Sequence, residues 1–147
     1  MNGKVVKYGI MAGLVSGFFL GFLMKAIENA TNENIYRLLL DTKFIPVIGK
    51  IQWSEMTQFL FHLLLSAVLG MLYFFILNQW KICSLQGKCV ISLLIIIPLI
   101  FAYFPISSLS SLPKPQTNNL TAFGLWAISH LLYACLLPML ASFKQNN

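Results

Sequence analysis

Acidic residues are nearly missing from this sequence. Only four of its 147 residues are Asp or Glu, against ten Lys and Arg, and charged side chains make up 10% of the chain. With 58% hydrophobic residues, that scarcity excludes a soluble globular domain, where about a quarter of residues are charged. Three cysteines are too few for a disulfide framework. Cys83 and Cys89 flank a short SLQGK segment and read as ordinary thiols, while Cys135 falls in an apolar run and behaves there as a small apolar residue. No Lys- or Arg-rich run occurs, so the net charge of +6 does not point to nucleic acid. GxSxG, GxxxxGK[ST] and HxxxH are also missing, which removes a nucleophile elbow, a phosphate cradle and a paired-histidine metal motif. No catalytic residue, cofactor or metal is expected, and the chain is not expected to be an enzyme.

What the sequence has is apolar length. A membrane-crossing helix needs about 20 apolar residues, and four runs reach it, at about 5–25, 56–77, 90–109 and 121–142. They use more than half of the chain. The expected fold is all-α: one four-helix membrane domain over residues 1–147, with a short interfacial helix in the first loop. Residues 1–24 share the charge and apolarity of a signal peptide. However, the run is long and is followed by Lys25 and Glu28 without a small-x-small cleavage site, so it reads as retained.

The first run, VVKYGIMAGLVSGFFLGFLM, carries Gly9, Gly13, Gly17 and Gly21 at every fourth position. On a helix this spacing makes one slowly drifting stripe. In water each glycine costs about 1 kcal/mol relative to Ala. In lipid, small residues let a second helix approach closely. The stripe is therefore expected to pack against another span or, as a homodimer, against a second copy of itself.

All four acidic residues, Glu28, Glu33, Asp41 and Glu55, fall in or beside the first loop, balanced by Lys25, Arg37, Lys43 and Lys50. The plainer reading is a solvated, self-paired loop; the functional one is a polar cap over one mouth of the bundle. Lys25 and Glu28 are spaced to pair on one helix face. Thr31 or Asn32 is placed to cap a short helix in IYRLLLDTK, ended by Pro46, with Tyr36 and Arg37 near the headgroups.

In the second run Glu55, His62, Ser66 and Gly70 are spaced seven, four and four, close to one helix face. The third contains Pro98, which predicts a kink near Leu94 and Ile95. The fourth carries Trp126, His130 and Tyr133. Trp53, Trp80, Trp126, Tyr8 and Tyr36 read mostly as interface anchors.

The segment His62–Leu72 resembles His130–Leu140, sharing the His, two following leucines, a later Leu and a closing Met-Leu. These are the only histidines in the chain, and their positions within their spans give them nearly equal depth. Three readings follow. The histidines are interhelical hydrogen-bond partners, a proton-responsive pair, or ligands that would need Glu55 or Tyr133 to hold a metal. The first is the plainest, and a metal is not expected on so thin a ligand set. The candidate polar set is His62, His130, Glu55, Ser66 and Tyr133.

The order GIMAGLVSGF, HLLLSAVLGMLY, IPLIFAYFP and FGLWAISHLLY is similar to the YagU-like small bacterial inner-membrane proteins, on Lys25 and Glu28, His62, Ser66 and Tyr73, Pro98, and His130. The resemblance implies a multi-pass protein of the bacterial cytoplasmic membrane associated with acid tolerance, and no catalytic residue. Lys and Arg counts on the two sides are tied at five. Because Lys4 and Lys7 flank the first span, both termini are expected in the cytoplasm. Two functions remain open: a non-enzymatic membrane protein serving envelope or acid-stress tolerance, and a small transporter or channel with a proton-responsive path through His62 and His130. The lipid bilayer is the expected partner, with no nucleic acid.

Overall fold

The computed structural model describes residues 3–42, 49, 51–110 and 113–143. Lys43, Pro46, Lys50 and Lys144, which entered the loop and orientation arguments, lie outside them. Among the described residues there are six helices and no strand: α1 (Gly3–Thr31), α2 (Ile35–Leu40), α3 (Glu55–Gln79), α4 (Leu85–Phe101), α5 (Tyr103–Leu109) and α6 (Leu120–Phe143). Four segments are long and apolar enough to cross a membrane: Gly3–Thr31, Glu55–Gln79, Leu85–Leu109 (α4 with α5) and Leu120–Ser142. The fold is all-α, as composition requires.

Antiparallel packing of α1 on α3 is the most extensive interface, followed by α4 on α6, and α1 also packs on α6. The glycine stripe explains the first. A Cβ built on Gly9 would lie 2.7 Å from the Met71 Cα, and one on Gly13 would lie 2.9 Å from the Ala67 Cα and closer still to the Ser66 carbonyl oxygen. On Gly17 it would strike the Ser66 side chain, and on Gly21 the Phe59 ring. Gly70 answers from α3, since a Cβ there would strike the backbone of Gly9 and Gly13. The stripe is thus covered by α3 of the same chain. A homodimer through these glycines would require α1 and α3 to separate.

Polar side chains tie the remaining seams by donating to main-chain carbonyls. The Tyr73 hydroxyl (α3) donates to the Lys88 carbonyl (α4) at 3.2 Å. Ser92 (α4) donates to Ala134 (α6) at 2.6 Å, and the Trp126 indole (α6) donates to Leu99 (α4) at 3.2 Å. A helical carbonyl keeps a second lone pair after its i+4 bond, so it can satisfy a buried hydroxyl or indole where lipid offers nothing. Trp126 is therefore a core residue, 2% exposed, and not the interface anchor its aromatic character suggests. Trp80 is 65% exposed, as an anchor would be.

The third span is helical at Pro98 and breaks later. The helix continues through Pro98 and is interrupted at Ala102, after which α5 restarts at Tyr103. Pro105 accounts for the position: it has no N–H for the Phe101 carbonyl, and its ring crowds that carbonyl one turn earlier. In the first turn of α5 the missing N–H is no loss.

The first loop differs most from expectation. Asn32 takes a left-handed conformation, φ 60°, and its N–H bonds the Glu28 carbonyl at 2.8 Å, which ends α1 rather than starting α2. The N-cap residue of α2 is Asn34, whose side chain makes no capping bond. The Glu28 carboxylate does the capping instead, accepting from the N–H groups of Tyr36 at 2.9 Å and Arg37 at 3.1 Å. Ile35, Tyr36, Leu38 and Leu40 are buried. The helix α2 lies against α1, α3, α5 and α6 and lids this end of the bundle.

Candidate functional site

The polar residues of this end separate into two groups. One is the rim beneath α2. Glu28 accepts from the Arg37 guanidinium at 3.2 Å, and Lys25 pairs with Glu55 at 2.5 Å. The expected Lys25–Glu28 pair is replaced by these two longer-range ones, because Glu28 turns toward the start of α2 and Lys25 reaches the first residue of α3. The Lys25 ammonium also lies 5.2 Å from the centre of the Tyr36 ring. The Tyr36 hydroxyl donates to Glu55 at 3.2 Å, and burial, then the adjacent carboxylate, pushes its pKa up to about 12. Glu33 accepts from the Asn119 amide at 3.0 and 3.1 Å, tying the loop to the start of α6. Among the described residues in or beside the first loop, Lys25, Glu28, Arg37 and Glu55 are paired and form a polar cap at this end of the bundle.

The second group lines a cavity of about 360 Å³ between α3, the α4–α5 span and α6, roofed by Leu39, Leu40, Asp41 and Thr42. His62, Ser66, His130 and Tyr133 all border it, together with Trp126. Each histidine engages a main-chain carbonyl: His62 Nε2 stands 3.0 Å from the Gly17 oxygen, and His130 Nδ1 stands 2.9 Å from the Trp126 oxygen. A carbonyl can only accept, so both of these nitrogens carry the proton. In the neutral rings, His62 Nδ1 and His130 Nε2 are left as lone-pair acceptors. His130 stacks on Trp126 with ring centres 4.5 Å apart. Tyr133 donates to the Ser66 carbonyl at 3.4 Å, linking α6 to α3.

The structure therefore brings four of the five candidate polar residues to one cavity and leaves Glu55 with Lys25 and Tyr36, two helical turns from His62. Among the described residues no three His, Cys, Asp or Glu side chains gather to hold a metal. The regular spacing from Glu55 misled because it describes only a helix face, and α2 divides that face between rim and interior. His62, Ser66 and Gly70 do share a face, and it is the one applied to the glycines of α1. The His62 bond to Gly17 exists because that carbonyl lies on the close-packed seam between the two helices.

Ser92, Tyr73 and Trp126 were missed as polar links. A lone hydroxyl in VISLLIIIP was the available signal for Ser92; a serine there is unsatisfied unless another helix supplies an acceptor.

The cavity opens sideways. Leu64, Leu65 and Val68 form its lip on α3 and are all exposed, on a span long and apolar enough to cross a membrane. Its walls are mostly aliphatic and aromatic, with the two imidazoles and Tyr133 as polar points. Fold and site together define a small polytopic membrane protein with a lateral, lidded cavity. No protein-family profile, curated protein or solved structure matches the chain.

Proposed function

We propose that this chain is a non-enzymatic protein of the bacterial cytoplasmic membrane that takes the apolar part of a membrane amphiphile into its lateral cavity. One observation carries the reading. Two buried imidazoles, each anchored on a main-chain carbonyl, border an aliphatic cavity whose lip lies near the middle of the apolar span α3. Acyl chains are the solvent there, and the free imidazole nitrogens accept a hydrogen bond from a hydroxyl or a protonated carboxyl. Anchored side chains in an apolar enclosure suit binding better than turnover. The bacterial location, the cytoplasmic termini and a part in envelope or acid-stress tolerance are supported by the YagU-like motifs and by Lys4 and Lys7, and stand as expectations.

Trp126 offers a direct test. In a Trp53→Phe, Trp80→Phe variant it is the only tryptophan, and it is 2% exposed. Lipids brominated along the acyl chain should quench its fluorescence, and Ala102→Phe, which fills the cavity wall, should relieve the quenching. Trp126 fluorescence indifferent to brominated lipid would remove the reading.

A second reading, a proton-responsive path, is favoured by the fact that both histidines border the same cavity. It requires proton flux in liposomes that is lost in His62→Ala, His130→Ala. Flux unchanged in that variant ends it.

A further inference from the structure

The rim and the lateral cavity share a wall. Lys25, Glu28, Tyr36, Arg37 and Glu55 line a second cavity at this end of the bundle, of about 390 Å³. Leu40 of α2 and Gln58 of α3 border both cavities, so a charged compartment adjoins the apolar one. Gln58 stands about one helical turn from Glu55 and one from His62, between the charged groups and the first imidazole. Its amide nitrogen makes a long bond, 3.4 Å, to the Trp53 carbonyl. The ion pairs of the rim leave hydrogen-bonding capacity unused. Arg37 places Nε on Glu28, one of its five N–H groups, and its side chain is 57% exposed. The fork formed by its terminal nitrogens matches the oxygens of a phosphate. Glu55 places Oε1 on both Lys25 and Tyr36, and its side chain is 59% exposed, which leaves Oε2 to accept from an ammonium. One cavity thus offers a cationic edge and a carboxylate oxygen to a ligand that carries both signs.

We propose that the amphiphile is a monoacyl phospholipid with a zwitterionic, phosphoethanolamine-type headgroup. Its phosphate lies on Arg37, its ammonium on Glu55 and its glycerol hydroxyl on the free nitrogen of His62, with the single chain in the lateral cavity. The proposal rests on the amphiphile reading above and adds the head. Volume selects one chain: the lateral cavity, about 360 Å³, equals about a dozen water shares of ~30 Å³ each. A methylene fills about as much, so a second chain has no place. The imidazole selects the glycerol. Its free nitrogen needs a hydroxyl donor, which a monoacyl lipid keeps and a diacyl lipid has lost to its second ester. The rim selects the head, since Lys25 and Arg37 interleave there with Glu28 and Glu55. Seven residues of α3 separate Glu55 from His62, roughly 10 Å along the axis, and the two side chains reach toward a glycerophosphoethanolamine laid between them.

Native mass spectrometry of the full chain, released from non-ionic micelles supplemented with one lipid at a time, tests this. The unaltered protein should retain lysophosphatidylethanolamine in preference to lysophosphatidylglycerol and to diacyl phosphatidylethanolamine. Arg37→Gln should weaken retention of both monoacyl lipids about fivefold, the upper end for an exposed ion pair. Glu55→Gln should weaken the ethanolamine lipid by a similar factor and strengthen the glycerol lipid, because Lys25 loses its carboxylate partner. A merely structural loss would lower both lipids together. Lys81→Gln, in the α3–α4 turn at the far end, should change neither. If Glu55→Gln loses helicity, the preference of the unaltered protein and the effect of Arg37→Gln decide. Equal retention of the ethanolamine and glycerol lipids, equal retention of monoacyl and diacyl lipids, or a preference unmoved by a folded Glu55→Gln overturns the proposal. Failure of the amphiphile reading is separable. If brominated chains still quench Trp126, a chain occupies the lateral cavity and only the head is misassigned; if they do not, both readings fall.

Discussion

Replacing Gly13 with Leu probes the α1–α3 seam at its tightest point. A Cβ there would stand 2.9 Å from the Ala67 Cα and nearer still to the Ser66 carbonyl. Ordinary carbon contacts lie at about 3.5–4.0 Å, so the Ala67 contact alone requires the helices to part by roughly 0.6–1 Å, and the Ser66 carbonyl requires more. A gap of that size forfeits about a quarter to a half of each contact along the seam, and Gly9, Gly17 and Gly70 share it. Overpacking of this kind costs about 1–3 kcal/mol. Weakening the His62 bond to the Gly17 carbonyl adds about 0.6 kcal/mol, the mean for interhelical bonds in a membrane. Against this, replacing a helical glycine returns up to about 1 kcal/mol. Gly13→Ala should therefore be destabilised by about 0.6–2.6 kcal/mol, and Gly13→Leu by about 3 kcal/mol or more, since the rest of its side chain must also enter the seam. Gly124 is the control. A Cβ there meets nothing within 4 Å, so Gly124→Ala should be neutral to about 1 kcal/mol stabilised. Denaturant titration in mixed micelles, followed by circular dichroism, measures all three. Gly13→Leu within 0.5 kcal/mol of the unaltered protein would refute the argument, as would Gly124→Ala being the more damaging change; that threshold is about the usual scatter of surface substitutions.

Glu28→Ala should loosen α2 by about 1 kcal/mol, the usual worth of a lost N-cap, and hydrogen exchange should quicken at residues 36 and 37, whose amides it holds. Ultraviolet titration against Tyr36→Phe should place the Tyr36 hydroxyl near 12 instead of 10.0. Because the folded value is the higher, its stabilising effect is complete below about pH 10 and is lost as pH rises toward 12. Cys83 is exposed in the α3–α4 turn. The proposed orientation, with both termini in the cytoplasm, requires that a membrane-impermeant maleimide label it only after intact cells are opened; labelling beforehand would reverse the orientation.

Composition and run length alone determined the class, the four spans and the all-α fold. A bilayer tolerates no unpaired backbone, so twenty apolar residues have a single solution there. The glycine repeat likewise announced a close helix contact, because the absence of a Cβ is written in the residue itself. Which helix fills that contact was not legible. Spans α3, α4 and α6 are similarly leucine-rich, and only the reciprocal Gly70, with Ser66 opposite Gly17, selects α3. The histidines were found as candidates because polar groups in lipid are rare, and their common depth followed from helical rise. Their partners were hidden, since both are main-chain carbonyls, which every residue possesses. Glu55 was misplaced for a related reason: spacing records a helix face, whereas the roof formed by α2 decides which part of that face stays beside Lys25 and Tyr36. Tertiary structure alone decided that Glu28 caps α2, that Trp126 is core, and that Lys88 lies buried against a cavity. Each depends on a neighbour distant in the chain, and in lipid that neighbour is chosen by packing and hydrogen-bond satisfaction rather than by apolarity, which all four spans share.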